Sequence, residues 1–335
     1  MATKIFKTIN IEGQDKKVLA TSYSQIETYL SCPYKWKLDY LLGQRSVGKA
    51  EALDLGTSIH KTLEEYFLGI KDGKEISIAE AQEMLEYNME VQDIPFVSKE
   101  NKELAEEQHS SMIAGLASGN SKLAKFMKDK EVVACEKEFQ FRVDLPFQVK
   151  YQDELYDAIY IIGSIDFIVR DKITDEDDED KKKKANLYVL DFKSGKKLYE
   201  PKKLKTNLQL PIYSIIVHRI YGRLPVSTQY YFTRHDEFQE VMPLAVNEES
   251  CQHVYYKNGK IKQEQRHIAQ IYEELINIFR KQYTIGKYKA NPTALCSWCD
   301  HSPWYGNNTQ CKNAELYKRK DIPIIKGRVK RVKNI

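Results

Sequence analysis

The stretch Leu187-Tyr-Val-Leu-Asp-Phe-Lys-Ser-Gly195 (LYVLDFKSG) decides the fold. Residues 187–190 are apolar strand formers and predict a buried β-strand. Side chains alternate across a strand, so Asp191 and Lys193 share one face. Two opposite charges at the end of a buried strand are either an internal salt bridge or a metal ligand beside a catalytic amine. Upstream, IYIIGSIDFIVRD predicts a second apolar strand carrying Asp166 between Ile165 and Phe167. The block DEDDEDKKKK (175–184) separates the two runs and predicts an exposed hairpin loop. Ile161–Val169 and Asn186–Lys193 are therefore expected to pair antiparallel, bringing Asp166 close to Asp191. A buried acid is costly unless paired or metal-bound. Two adjacent carboxylates repel, and a divalent cation removes that repulsion. Hard oxygen ligands suit Mg²⁺ or Mn²⁺. Lys193 beside such a cation could orient or help deprotonate water and offset charge on a phosphodiester.

Further out, VLATSYSQIETYL predicts a strand or loop and then a helix capped by Ser22 or Ser24. That helix is expected to continue through YKWKLDYLL, followed by a basic loop over 43–49. In ALDLGTSIHKTLEEYFLG, Leu55, Ile59, Leu63 and Tyr66 form one helical stripe, with Gly56 and His60 on a neighbouring face. Residues 75–131 are polar and helical, and alternation resumes after Cys135 as strand. NLQLPIYSIIVHRIYG predicts a helix with Pro211 in its first turn and Gln209 and Tyr213 on one face. STQYYFTRHDEFQEVMPL reads as strand, and QEQRHIAQIYEELINIFRK (263–281) as an amphipathic helix.

The composition narrows the function classes. The chain has 335 residues and a formal net charge of +4. No run of eighteen apolar residues suggests a membrane span, and MATKIFKTINIEG lacks the apolar core of a secretory signal. A reducing cytoplasmic location is expected, the host cytoplasm for a viral protein. No GxxxxGK[ST] phosphate loop is present. Residues 318–335 carry eight Lys/Arg and one Asp, a solvated tail or a phosphate-binding arm.

Cys296 and Cys299 form a CxxC, with Cys311 further on. In a reducing compartment these are not expected to form disulfides. Cys32, in SCPYKW, is the candidate fourth ligand. Four thiolates suit zinc or an iron–sulfur cluster.

Taken in order, these segments resemble the PD-(D/E)XK nuclease superfamily, in its RecB/AddB-like branch that includes iron–sulfur exonucleases of the CRISPR-associated and recombination types. SYSQIETYLSCPYKWKLDYLLG is similar to the amino-terminal signature with a ligand cysteine, here Cys32. LGTSIH is similar to the segment with a metal-binding histidine, here His60. IGSIDFI corresponds to the first acidic motif at Asp166, DFKSG to the second acid and the lysine, Asp191 and Lys193, and LQLPIYS to the helix carrying Gln209 and Tyr213. In that branch the interval before the last cysteine is shorter than the eleven residues, 300–310, found here. Added loop residues cost little closure entropy.

The resemblance implies an α/β fold: a restriction-endonuclease-like core with a central mixed sheet flanked by helices, a helical insertion and a cysteine-ligated clasp. It implies metal-dependent hydrolysis of DNA by an exonuclease acting on single strands or single-stranded ends, in recombination, repair or phage DNA processing. His60, Asp166, Asp191 and the Phe192 carbonyl would hold Mg²⁺ or Mn²⁺. Lys193 would assist the attacking water, with Gln209 and Tyr213 positioning it or the strand. Cys32, Cys296, Cys299 and Cys311 would hold a [4Fe-4S] cluster, with zinc as the competing occupant. Tyr23, Tyr29, Tyr34 and Trp36, among Lys35 and Lys37, suit a single strand held by stacking and charge, or aromatic packing beneath lysine stems. The expected divisions are a helical region with the first cysteine and His60 (1–74), a helical insertion (75–131), the nuclease core (132–250), a carboxy-terminal helix and cysteine clasp (251–317) and a basic tail (318–335). A helicase or recombination protein is the expected partner. Two other readings are a non-cutting DNA-binding or assembly subunit of a helicase–nuclease complex and a zinc-stapled structural or regulatory interaction protein.

Overall fold

The computed structural model describes residues 5–44, 51–151, 153–173, 184–302 and 311, without the side chains of Ser297 and Trp298. The basic loop after Gln44, the charged block up to Lys183 and the basic tail lie outside the described residues. No described helix is long and apolar enough to cross a membrane. The chain forms two compact units, one of Met1–Gly48, Gln140–Gly163 and Tyr272–Ile335, the other of Lys49–Phe139 and Ser164–Ile271. Two long paired strands, β3 (Lys130–Tyr151) and β4 (Glu154–Asp171), contribute a part to each.

In the first unit, β1 (Phe6–Ile11) and β2 (Gln14–Thr21) form an antiparallel hairpin, and β2 pairs in parallel with β4 through Ala20 and Thr21. Ser22 then caps α1 (Tyr23–Ser31), its hydroxyl accepting the Gln25 N–H. The expected long helix is broken here. Cys32 is extended (φ −154°, ψ 100°) because it precedes Pro33, whose ring disfavours the helical conformation one residue earlier. Pro33 opens the short helix α2 (Pro33–Trp36), which runs into a π-helical turn, Lys37–Leu41.

Trp36 is 0% exposed. It stacks on Tyr288 and meets Tyr29 and Tyr283 edge-on, at centroid distances of 5.7, 5.7 and 5.6 Å. Trp36→Ala should cost about 3–5 kcal/mol in denaturant unfolding, as expected for an indole lost from a core. A cost below about 1 kcal/mol would place this ring outside the core.

The second unit is built on a mixed sheet. β4 pairs antiparallel with β5 (Leu187–Lys193), with Phe167 opposite Leu190, as the separated apolar runs lead one to expect. β5 pairs in parallel with β6 (Ser227–Phe232), which turns back antiparallel into β7 (Glu237–Val241). The strand-like 227–244 stretch is thus a hairpin. One sheet face, carrying Phe167, Val169, Leu190, Phe192 and Tyr231, packs against α3 (Glu51–Lys71) and the helices beyond it: α4 (Ile78–Gln92), α5 (Lys99–Ala117) and α6 (Lys122–Met127). Leu55, Ile59, Leu63 and Tyr66 form the α3 stripe in this core. Alternation leaves Asp166, Asp191 and Lys193 for the opposite face. After α7 (Pro201–Thr206) comes α8 (Gln209–Tyr221), buried from Gln209 to Val217 and closed by Gly222 at φ 74°. The amphipathic helix α9 begins at Ile268 rather than 263, because Ile261–Gln263 pairs as strand with Val254–Tyr255.

Candidate active site

The β4–β5 pairing places two acids in the interior. Asp191 is 1% exposed and Asp166 8% exposed. An Asp166 Oδ2 accepts the Phe192 N–H at 2.8 Å. Burial first, then the Asp191 carboxylate, raises the Asp166 pKa above the ordinary carboxylate range. Lys193 Nζ lies 2.6 Å from Asp191 Oδ2 and donates to Gln209 Oε1 at 3.1 Å. Gln209 Nε2 in turn donates to the Tyr213 hydroxyl oxygen at 3.1 Å. Burial alone would lower the Lys193 pKa, but Asp191 and other nearby groups outweigh it and hold it above the usual lysine value. The amine therefore stays charged.

His60 reaches the same place from α3. Its Nε2 lies 2.9 Å from the Phe192 carbonyl oxygen, and its Nδ1 lies 3.4 Å from Asp166 Oδ2 and 3.5 Å from Glu136 Oε1. Burial opposes the imidazolium, but Asp166, Glu136 and Asp191 prevail and raise its pKa to about 9. Gly56, one helical turn before His60, faces the residue just beyond the end of β5. A Cβ there would stand 3.2 Å from Ser194 Oγ.

Glu136 has no counterpart in the expected ligand set. It sits in β3 at φ 41°, a left-handed conformation that is uncommon outside glycine. Its Oε2 accepts the Ser164 hydroxyl at 2.7 Å. Burial would raise its pKa, yet His60 and Ser164 outweigh burial and lower it. Ligand atoms of His60, Glu136 and Asp166 all lie within 4.8 Å of one another. This donor set fits a divalent cation. It offers hard carboxylate oxygens and one imidazole, and a cation could take the place of the proton that the carboxylates hold on His60. Glu136→Gln should weaken Mn²⁺ binding on the order of 10- to 100-fold, the usual range for losing a residue that supports a metal site. Mn²⁺ titration followed by calorimetry checks this, and unchanged affinity would remove Glu136 from the site.

The β6–β7 turn clamps the backbone just beyond Lys193. Thr233 N–H donates to the Lys193 carbonyl at 3.0 Å, and Arg234 Nε donates to the Ser194 carbonyl at 2.8 Å. Arg234 also donates to Gln108 Oε1 on α5 at 3.0 Å. The helical region thereby braces the end of β5.

The cysteine residues gather in the first unit. Cys32, Cys296, Cys299 and Cys311 all line one cavity of about 270 Å³, together with Lys35 and His301. The Asn291 and Thr293 backbone N–H groups each point at a sulfur, Cys32 Sγ and Cys296 Sγ, at 3.4 Å. Beside the cavity, Asp39 joins Lys35 Nζ and His301 Nε2, each at 2.6 Å. Among the described residues no three of these sulfurs lie within 4.8 Å of one another.

The aromatic–lysine segment divides in two. Trp36 and Tyr29 are buried and present no face for stacking, whereas Tyr23, Tyr34, Lys35 and Lys37 are half-buried. Lys35 is engaged by Asp39, and Lys37 Nζ lies 5.7 Å from the Tyr288 ring centroid.

A strand-end acid and lysine beside a second buried acid, a glutamate and a histidine thus form a candidate metal site. The chain matches the PD-(D/E)XK nuclease superfamily over residues 20–304 and belongs to it. No curated protein matches the chain.

Proposed function

We propose that this protein is a Mg²⁺- or Mn²⁺-dependent deoxyribonuclease, acting as an exonuclease on single-stranded DNA or single-stranded ends. The observation that carries the reading is the convergence of Asp166, Asp191 and Lys193 with His60 and Glu136 at the end of β5. His60, Glu136, Asp166, Asp191 and the Phe192 carbonyl are the groups that would hold the cation. When bound, it would supply charge stabilisation to the phosphodiester and activate water. Lys193, charged and fixed between Asp191 and Gln209, orients that water and offsets negative charge as the bond breaks. Tyr213 holds Gln209 in place. Exonuclease mode and the preference for single strands rest on the resemblance to the RecB/AddB-like branch, as does a helicase or recombination partner.

For the cysteines we propose a [4Fe-4S] cluster held by Cys32, Cys296, Cys299 and Cys311. One cavity lined by all four supports it. The choice of an iron–sulfur cluster over zinc rests on the resemblance to the RecB/AddB-like branch. Iron and zinc analysis of anaerobically purified protein tests this assignment, and zinc alone would reject the cluster.

The test of the nuclease reading is cleavage of end-labelled single- and double-stranded DNA with Mg²⁺, with Mn²⁺ and with chelator. Metal-dependent shortening from one end is expected. Binding without cleavage in either metal would instead favour a non-cutting subunit.

A further inference from the structure

Directly after the candidate catalytic lysine the chain reads KKLYEPKKLK (196–205), with five lysines and one glutamate. Lys196, Lys197, Lys202 and Lys205 are exposed. A lysine run is ordinarily no more than a solvated face. Here the backbone that carries it is fixed to the site. The Gln239 side chain bonds both the N–H and the carbonyl of Tyr199, at 2.8 and 3.0 Å. The Tyr199 ring meets Tyr230 and Phe232 edge-on at 5.0 and 5.2 Å. Lys193 Nζ lies 5.3 Å from the centroid of that same Tyr230 ring. Tyr199, within the basic segment, thus lies one aromatic ring away from the candidate catalytic amine. Lys203 Nζ sits 3.9 Å above the Tyr199 ring, which holds the start of α7 against it.

Among the described residues, which include Glu200 within the segment itself, few acids pair with these lysines. Glu51 lies 3.8 Å from Lys196. On β7, against which α7 packs, Glu237 pairs with Lys122, and Glu240 accepts the Ser227 hydroxyl. Lys205 donates to the Lys262 carbonyl at 3.3 Å, a bond that keeps its charge. Among the described residues Lys197 and Lys202 have no ion-pair partner.

Building on the nuclease reading, we propose that Lys196, Lys197, Lys202 and Lys205 form a phosphate-tracking surface that receives the polynucleotide backbone beside the cleavage centre. Its position at the site singles out a polynucleotide over an acidic peptide or a membrane. A basic surface carried on the segment next to the reacting groups would serve the molecule being cut. Ammonium groups on a held backbone bind phosphates without reading sequence.

Fluorescent oligo(dT) binding, measured by anisotropy on the full chain in chelator over a range of salt, tests the proposal. The quadruple variant Lys196→Gln/Lys197→Gln/Lys202→Gln/Lys205→Gln should bind about tenfold or more weakly at moderate salt, and its log–log salt slope should fall by about 3, at about 0.7 per phosphate contact. A control changing Lys16, Lys17, Lys99 and Lys102 to Gln removes the same charge elsewhere and should keep the parental slope. Should the quadruple variant misfold by circular dichroism, Lys197→Gln/Lys202→Gln changes two side chains without an ion pair among the described residues and should lower the slope by about 1.4. An unchanged slope, an equal loss in the control, or no binding by the parent at low salt each overturns the proposal. No turnover is needed for this readout. A parent that binds through these lysines yet does not cut in Mg²⁺ or Mn²⁺ defeats the nuclease reading alone.

Discussion

Asp191→Asn should abolish metal-dependent cleavage, with a loss of at least about 1000-fold in single-turnover rate, while DNA binding in chelator stays close to parental. The side chain is fully buried, and it is the counter-ion of Lys193 at 2.6 Å. Its carboxylate is therefore aimed into the site and kept from water. Asparagine keeps the shape and leaves Lys193 an amide oxygen, so the arrangement with Gln209 can persist. It removes the negative charge that a divalent cation requires. The stability of the metal-free protein should change little, because two effects oppose. Lys193 loses a charged partner, which is destabilising. Asp166 loses the like charge that raises its pKa, which is stabilising. Addition of Mn²⁺ should raise the melting temperature of the parent, since a ligand that binds only the folded state stabilises it. It should raise that of the variant much less. Undiminished turnover by purified Asp191→Asn protein would exclude this carboxylate from the chemistry.

The part of the site that lies on regular strands was legible from sequence. Two apolar runs separated by a charged block led to an antiparallel pair that brings Asp166 close to Asp191, and period-two alternation put Asp191 and Lys193 on one face. The α3 stripe was legible for the same reason, since burial follows the helical period there. Glu136 was not. In CEKEF it has the same local appearance as Glu138, and what separates them is a left-handed backbone at φ 41° within β3. A signal did exist: alternation becomes regular only after Cys135, and such a break often marks a bulge. Pro33 was likewise visible, and its steric effect on Cys32 foretold the helix break that hydrophobic periodicity ran across. Trp36 and Tyr29 show a different limit. Aromatics interleaved with lysines look alike whether the rings face solvent or lie beneath lysine stems, and only the packing of Tyr283 and Tyr288 distinguishes the two. The Asp39–His301 contact joins residues 262 positions apart, so no local pattern encodes it.

Lys193 separates a catalytic site from a buried salt bridge, the two meanings open to DFKSG from the start. A purely structural partner of Asp191 would make Lys193→Ala costly in stability, by about 3–5 kcal/mol, since one buried charge is left alone. Its rate per folded molecule would be preserved. The surroundings argue for the other outcome. The lysine side chain keeps 23% of its surface exposed, whereas Asp191 keeps 1%. The lysine is thus the less buried member of the pair. It is also held a second time, by Gln209, which is itself fixed by Tyr213. A salt bridge does not need this relay, but a cation that must stand at a set distance from a reacting phosphate does. Lys193→Met, which keeps the stem and deletes the charge, should therefore lower the single-turnover rate by about 100- to 1000-fold, the cost of losing one donor to a developing negative charge. Gln209→Ala should lower it less, since Asp191 still holds the amine. Melting temperature and rate measured on the same preparations give the fraction folded and the rate per folded molecule. A Lys193→Met protein that melts far below the parent but cuts at the parental rate per folded molecule would reduce Lys193 to a structural counter-ion, and the chemistry would then rest on the carboxylates and His60.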